Sequence, residues 1–210
     1  DHMQVALSIG VQEMVRSDKA GSGVMFSIDT ETGFPRSVLI NCAWGLGETV
    51  VQGMVEPDEY HVFKPLLETA ALQPIIEKTL GGKARKMIYA SGSSATSKLV
   101  NTSKKERSSF VLNDDEVLQL ARWACTIEAH YGQPMDMEWA KDGLTGELFI
   151  VQARTETGQS QRQTTNLNRY VLKEHGAILV RGPAVGERIG QGRVRMIRDV
   201  HQLHEFEQGE

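Results

Sequence analysis

Residues 113–154 admit few folds: a capped amphipathic helix, a glycine stop, then two strands joined by a short loop. Asn113 stands where an N-cap belongs, and Glu116, three residues on, completes capping-box spacing. Val117, Leu120, Ala121, Ala124 and Ile127 recur at helical spacing, which predicts one buried face over residues 114–131. Gly132 occupies the position where a left-handed residue ends a helix. Residues 135–140 and 148–154 then read as strands around the loop Lys141-Asp142-Gly143-Leu144-Thr145-Gly146. A second strand–loop–strand unit joins residues 24–28 to 37–42 through Thr30-Glu31-Thr32-Gly33-Phe34-Pro35. Loops this short impose antiparallel pairing.

The rest of the chain is less decisive. Residues 5–16 read as a strand with Val11, Met14 and Val15 as its core, and Gly21-Ser22-Gly23 as a turn. Trp44-Gly45-Leu46-Gly47-Glu48 is a glycine-flanked loop, and residues 49–55 fit a short helix or a strand equally. Residues 59–63 and 86–89 read as strands, 72–79 as a short helix ended by Gly81-Gly82, and 91–109 as a polar surface excursion. Residues 157–168 are polar and without period, a linker. Beyond it, residues 170–172, 177–180 and 193–197 read as short strands opening a second, β-rich domain. Apolar patterning starts at Val5 and the last residues bring no closing element, so both ends read as cut.

With 40% hydrophobic and 24% charged residues in 210, the composition is that of a soluble globular chain. A net charge of −4 gives no bulk attraction for nucleic acid or an acidic membrane, so an anionic ligand needs local positive groups. Cys42 and Cys125 are too far apart for a zinc or redox motif and read as reduced thiols. No apolar run approaches the roughly 20 residues of a membrane span, and residues 1–4 do not open a signal peptide, so the cytoplasm is the expected location.

The second hairpin carries the chemistry. Side chains alternate along a strand, so Asp136 and Glu138 share a face, roughly 7 Å apart. On the neighbouring strand Ile150, Gln152 and Arg154 are expected on one face, with Phe149 and Val151 turned toward a core. Two carboxylates, an amide oxygen and a guanidinium then converge. Mg²⁺ takes hard oxygen ligands, typically one or two carboxylates plus substrate phosphates. Arginine donates two parallel hydrogen bonds to phosphate oxygens. The same four residues also fit a solvated face closed by an ordinary salt bridge. Glu48 is either one more carboxylate near a metal or the exposed end of a tight turn, and no phosphate-cradling glycine–lysine motif accompanies it. Gln12-Glu13-Met14-Val15 either offers backbone groups to an adenine edge and Met14 to its face, or is plain core strand.

Five segments in order resemble the phosphoenolpyruvate synthase (pyruvate, water dikinase) family: Val11-Gln12-Glu13-Met14-Val15-Arg16-Ser17-Asp18, Ser22-Gly23-Val24-Met25-Phe26-Ser27-Ile28-Asp29, Ala43-Trp44-Gly45-Leu46-Gly47-Glu48, Asp136-Met137-Glu138-Trp139-Ala140-Lys141-Asp142-Gly143 and Phe149-Ile150-Val151-Gln152-Ala153-Arg154. The resemblance implies an α+β fold. Residues 1–156 are then the C-terminal portion of an ATP-grasp nucleotide-binding domain, an antiparallel sheet with flanking helices. Residues 169–210, with Gly182-Pro183-Ala184-Val185-Gly186 and Ile189-Gly190-Gln191-Gly192-Arg193-Val194, are the incomplete start of a swivelling phosphohistidine domain. It implies Glu138 and Gln152 as Mg²⁺ ligands supported by Asp136, and Arg154 as the phosphate contact. It also implies Gln12, Glu13, Met14 and Val15 as the hinge strand that meets adenine, and Glu48 as an acidic residue bordering the nucleotide.

The family makes phosphoenolpyruvate, AMP and phosphate from pyruvate, ATP and water through a phosphorylated histidine. ATP is thus the expected substrate, with pyruvate as a further partner of the parent protein, whose homodimeric state stays open. The N-terminal nucleotide-binding lobe, the Thr-Cys-His segment with the phosphorylated histidine and the pyruvate-binding barrel lie outside this sequence. The chain alone is therefore expected to be inactive. Thr155 stands where the family usually has proline. The alternatives are another phosphohistidine enzyme, such as pyruvate phosphate dikinase or an antibiotic phosphotransferase, and a nucleotide-binding module without catalysis.

Overall fold

The computed structural model describes residues 9–69, 72–90 and 96–157, with 176–178, 180, 192–197 and 206 beyond them. Contacts divide the chain into two units, Asp1–Asn168 and Arg169–Glu210, and every element below belongs to the first.

Strands β1 (Gly21–Phe26) and β2 (Ser37–Trp44) form the expected hairpin, but Gly21-Ser22-Gly23 is paired strand rather than the expected turn, in register from Gly21 opposite Trp44 to Phe26 opposite Leu39. One helical turn, α1 (Glu48–Val51), follows, then β3 (Asp58–Phe63) and β4 (Ile75–Thr79). Strands β5 (Arg85–Tyr89) and β6 (Ser97–Asn101) pair with each other as a separate two-stranded ribbon, which Met87 bridges to Gly45. After the short helix α2 (Lys104–Arg107) come the long helix α3 (Asp114–Tyr131), β7 (Met135–Lys141) and β8 (Leu148–Thr155). The main sheet has the order β4-β3-β2-β1-β7-β8, with every neighbouring pair antiparallel. The chain is therefore α+β, as expected.

Alternation gives this sheet an inner and an outer face. Met25, Val38, Ile40, Cys42, Tyr60, Val62, Met137 and Trp139 are each no more than 1% exposed and meet Val117, Leu120, Ala121 and Ala124 of α3. Burying such side chains stabilises by about 1.5–3 kcal/mol each for the larger ones, which fixes which face α3 covers. The helix is bounded as its sequence dictates. The Asn113 side chain accepts from Glu116 N at 2.9 Å, Glu116 Oε2 accepts from Asn113 N at 3.0 Å, and Gly132 ends the helix at φ 69°.

A fully buried ion pair braces one end of the sheet. Lys83 and Asp58 are both 0% exposed, and the Lys83 ammonium donates to Asp58 Oδ1 and, at 2.9 Å, to Gly81 O. Asp58 also accepts Gly81 N at 2.9 Å and Val111 N at 2.8 Å, so three protein donors converge on its buried carboxylate.

Several expectations are corrected. Ile9–Arg16 forms no strand among the described residues: no ladder reaches it, and Val11 and Met14 are 97% and 70% exposed rather than core. Residues 72–79 do not form a helix. Pro74 lacks an amide hydrogen, and the residues after it extend as β4 against β3, where β-branched Ile75 and Thr79 suit the pleat. Within the polar surface stretch, residues 97–101 form β6 and 104–107 form α2, the latter with a Ser103–Glu106 capping box. Residues 193–197 form no strand, and Val194 and Met196 are 90% and 73% exposed without a described partner. Residues 176–178 and 180 are likewise not in strands, whereas 170–172 lie outside the described residues, as do residues 158–168 of the expected linker.

Candidate functional site

The outer face of the sheet carries the candidate residues. Strand β7 alternates cleanly: Met135, Met137 and Trp139 enter the core, and Asp136 and Glu138 point the other way. Across the ladder Asp136 faces Arg154 and Glu138 faces Gln152, the two pairings the sequence had placed together.

The remainder of β8 departs from the expected parity. The register shifts between Glu138 and Trp139, so that Trp139 faces Ile150 and Val151 is the extra residue of a bulge. One inserted residue flips every side chain before it. Ile150 therefore packs against the core cluster instead of joining Gln152, Val151 lines the outer cleft, and Phe149 sits in a surface groove with Glu116 and Trp123. The bulge leaves Gln152 and Arg154 outward while keeping Ile150 in the core.

Arg154 is fixed by Asp136, whose Oδ2 accepts Nε at 2.7 Å and lies 2.6 Å from Nη2. This hydrogen bond and its charge raise the guanidinium pKa further above its ordinary value. The Arg154 side chain is 69% exposed while Asp136 is nearly buried, so the carboxylate anchors an arginine whose other donors face solvent. Glu138 is half-buried, and its charge adds to the upward shift of Arg154.

Glu138 is also where two depressions meet. A cleft of about 480 Å³ is lined by Gln12, Glu13, Met14 and Val15, by Gly47 and Glu48, and by Glu138. A second, of about 440 Å³, is lined by Asp136, Glu138 and Arg154 with Val24, Phe26 and Asn41 of the outer sheet face. Gln12–Val15, Glu48, Asp136, Glu138 and Arg154 thus share one continuous face, with Gln152 beside them on β8.

Local chemistry explains how Glu48 reaches the cleft. Gly45 has φ 88°, and a Cβ there would lie 2.4 Å from Met87 O, so only glycine lets this loop dock on β5. Leu46 N then donates to Met87 O at 2.9 Å, and the Ser22 hydroxyl to Gly45 O at 2.7 Å. The docked loop starts α1 at Glu48.

Sequence reasoning missed Tyr89, Thr96 and Ser97 of the β5–β6 ribbon, which line the same cleft, and Asn41 on β2. Asn41 was recoverable from its parity opposite Cys42. The ribbon was not, because nothing in its sequence marks what it leans on. Among the described residues no group of three or more His, Cys, Asp or Glu side chains converges to hold a metal. Metal ligation at the hairpin would therefore rest on Glu138, Gln152 and at most one more carboxylate, a donor set that leaves coordination positions to phosphate oxygens and water, as Mg²⁺ prefers.

The family model for the pyruvate phosphate dikinase AMP/ATP-binding domain matches residues 1–174. The chain is 57% identical over 216 residues to the phosphoenolpyruvate synthase of Synechocystis sp., 51% over 223 to that of Helicobacter pylori and 52% over 213 to that of Escherichia coli. Each alignment covers 100% of this chain and 26–27% of the relative, so the chain spans about a quarter of the length of the curated relatives it matches. The match runs through the Gln12–Val15 segment, the Glu48 loop and the β7–β8 hairpin alike, and the chain belongs to the pyruvate phosphate dikinase AMP/ATP-binding domain family.

Proposed function

We propose that this chain forms one wall of the Mg–ATP site of a phosphoenolpyruvate synthase, which converts pyruvate, ATP and water to phosphoenolpyruvate, AMP and phosphate through a phosphohistidine. The observation that carries the reading is the cleft itself: Gln12–Val15, Glu48 and Glu138, more than 120 residues apart at the extremes, line one depression. In this reading Gln12–Val15 meets the adenine, with Met14 against its face. Glu138 and Gln152 offer oxygens to Mg²⁺, with Asp136 in support. Arg154, held by Asp136, donates to phosphate oxygens, and Glu48 borders the nucleotide.

The bound Mg²⁺ supplies charge neutralisation on the transferring phosphates. The chain's residues supply position. Two strands bridged by a hydrogen-bond ladder hold Glu138, Gln152 and Arg154 at fixed spacing, so little reorganisation is left for the moment of transfer. The histidine that receives the phosphoryl group, the opposite nucleotide lobe and the pyruvate site are contributed from outside this sequence, and the chain alone is inactive in the full reaction. Residues 169–210 begin the phosphohistidine domain, a reading supported by the change of unit after Asn168. The parent works in the cytoplasm.

The test is ATP-dependent self-phosphorylation of the full-length protein. Glu138→Ala and Arg154→Ala should each lower its rate by about 100-fold or more, the cost of removing one electrostatic contact to developing charge. Phosphohistidine formation at wild-type rate in both variants would remove the site assignment.

A further inference from the structure

The Gln12–Val15 segment presents a physical problem. It lines the cleft, yet no strand among the described residues pairs with it, and Met14 is 70% exposed. A methionine has three rotatable bonds and would lose their freedom on meeting a ligand. Two contacts outside any ladder hold the segment. The Tyr89 hydroxyl, from the end of β5, donates to Met14 Sδ at 3.0 Å. Arg16 follows the segment and lies with its guanidinium carbon 5.8 Å from the centre of the Tyr89 ring.

Arg16 is itself pinned. Its side chain donates to Asp18 at 2.8 and 3.0 Å, its backbone N to Asp142 Oδ2 at 2.9 Å, and its carbonyl accepts Gly143 N at 3.1 Å. Asp142 and Gly143 belong to the turn between β7 and β8. The segment is therefore tied at one point to the hairpin that carries Glu138, and at the other to the β5–β6 ribbon. Tyr89 meets both Met14 and Arg16, and it lines the cleft as well.

We propose that Tyr89 is a positioning residue for the nucleotide: its hydroxyl sets the Met14 thioether, and its ring seats Arg16, so that Met14 is preset as the apolar face of a slot for a flat aromatic base. This rests on reading Gln12–Val15 as the segment that meets the base. Ordering Met14 before the ligand arrives removes an entropic cost of binding, so Tyr89 acts on nucleotide affinity and not on the phosphoryl step.

The experiment uses the full-length protein and ATP. Tyr89→Phe keeps the ring under Arg16 and deletes only the donor. Met14→Leu keeps an apolar side chain and deletes the acceptor. Tyr89→Phe should raise KM for ATP about 2- to 10-fold, the range for one neutral hydrogen bond, with kcat changed less than about two-fold. In the Met14→Leu background the same substitution should leave KM unchanged, because its partner is gone. A general packing role would not produce that loss of effect. A wild-type KM for Tyr89→Phe, an equal rise in both backgrounds, or a fall in kcat alone overturns the proposal. Loss of self-phosphorylation in Glu138→Ala and Arg154→Ala alongside any of these results leaves the nucleotide site standing and removes only the role of Tyr89. Retention in both variants removes the site, and this proposal with it.

Discussion

Replacing Lys83 with methionine tests whether the sheet end is held by charge. The methionine stem fills nearly the same volume, so the change isolates the ammonium. What remains is the Asp58 carboxylate, 0% exposed, with no cation beside it. Breaking a buried pair by removing one partner costs about 3–5 kcal/mol. Asp58 keeps two backbone donors, Gly81 N at 2.9 Å and Val111 N at 2.8 Å, which places the expected cost near the lower end, about 3 kcal/mol. For a chain of this size each kcal/mol moves Tm by about 2–4 °C, so Lys83→Met should melt about 6–12 °C below wild type by calorimetry. Adding Asp58→Asn should recover part of that loss, because a neutral amide oxygen still accepts one of the two amides and no unpaired charge remains. Recovery by a second core substitution is the distinguishing sign. A single variant within about 1 kcal/mol of wild type, or a double variant less stable than Lys83→Met alone, would refute the reasoning.

Two further outcomes follow from local geometry. Asn113→Ala removes half of the capping box at the start of α3 and should cost about 1 kcal/mol in urea unfolding, with Asn113→Ser close to neutral; equal losses for both would point away from capping. His61 sits 3.1 Å from Glu59 Oε1 and 3.6 Å from Asp29 Oδ2. Burial alone lowers its pKa, but Glu59 and then Asp29 and Glu77 override it, and the net shift is upward from 6.5. A folded-state pKa above the unfolded one contributes stability that is full below the unfolded value and is lost as pH rises through the folded one. The stability gap between wild type and His61→Gln should therefore be widest near about pH 6 and narrow by about pH 8, and a gap independent of pH would count against the His61–carboxylate contact.

What the sequence determined by itself is local. The boundaries of α3 are written in Asn113, Glu116 and Gly132, because caps satisfy backbone groups within a few residues of themselves. The β7–β8 hairpin and the face shared by Asp136 and Glu138 follow from a period of two and a short loop, whereas their pairing with Arg154 and Gln152 needs the bulge, without which Glu138 would face Val151. Tertiary structure decided what depends on partners distant in sequence. The bulge after Glu138 reversed the faces of Ile150 and Val151, since register is set jointly by core packing and the ladder. Pro74 and the free edge of β3 turned an expected helix into β4. Gln12–Val15 carries apolar residues that pattern alone assigns to a core. Only the absence of a ladder partner among the described residues, and the approach of Tyr89, make it an exposed cleft wall. Lys83 and Asp58 gave no signal at all, because two charges 25 residues apart reveal their shared burial only when the sheet and the loop before α3 close over them.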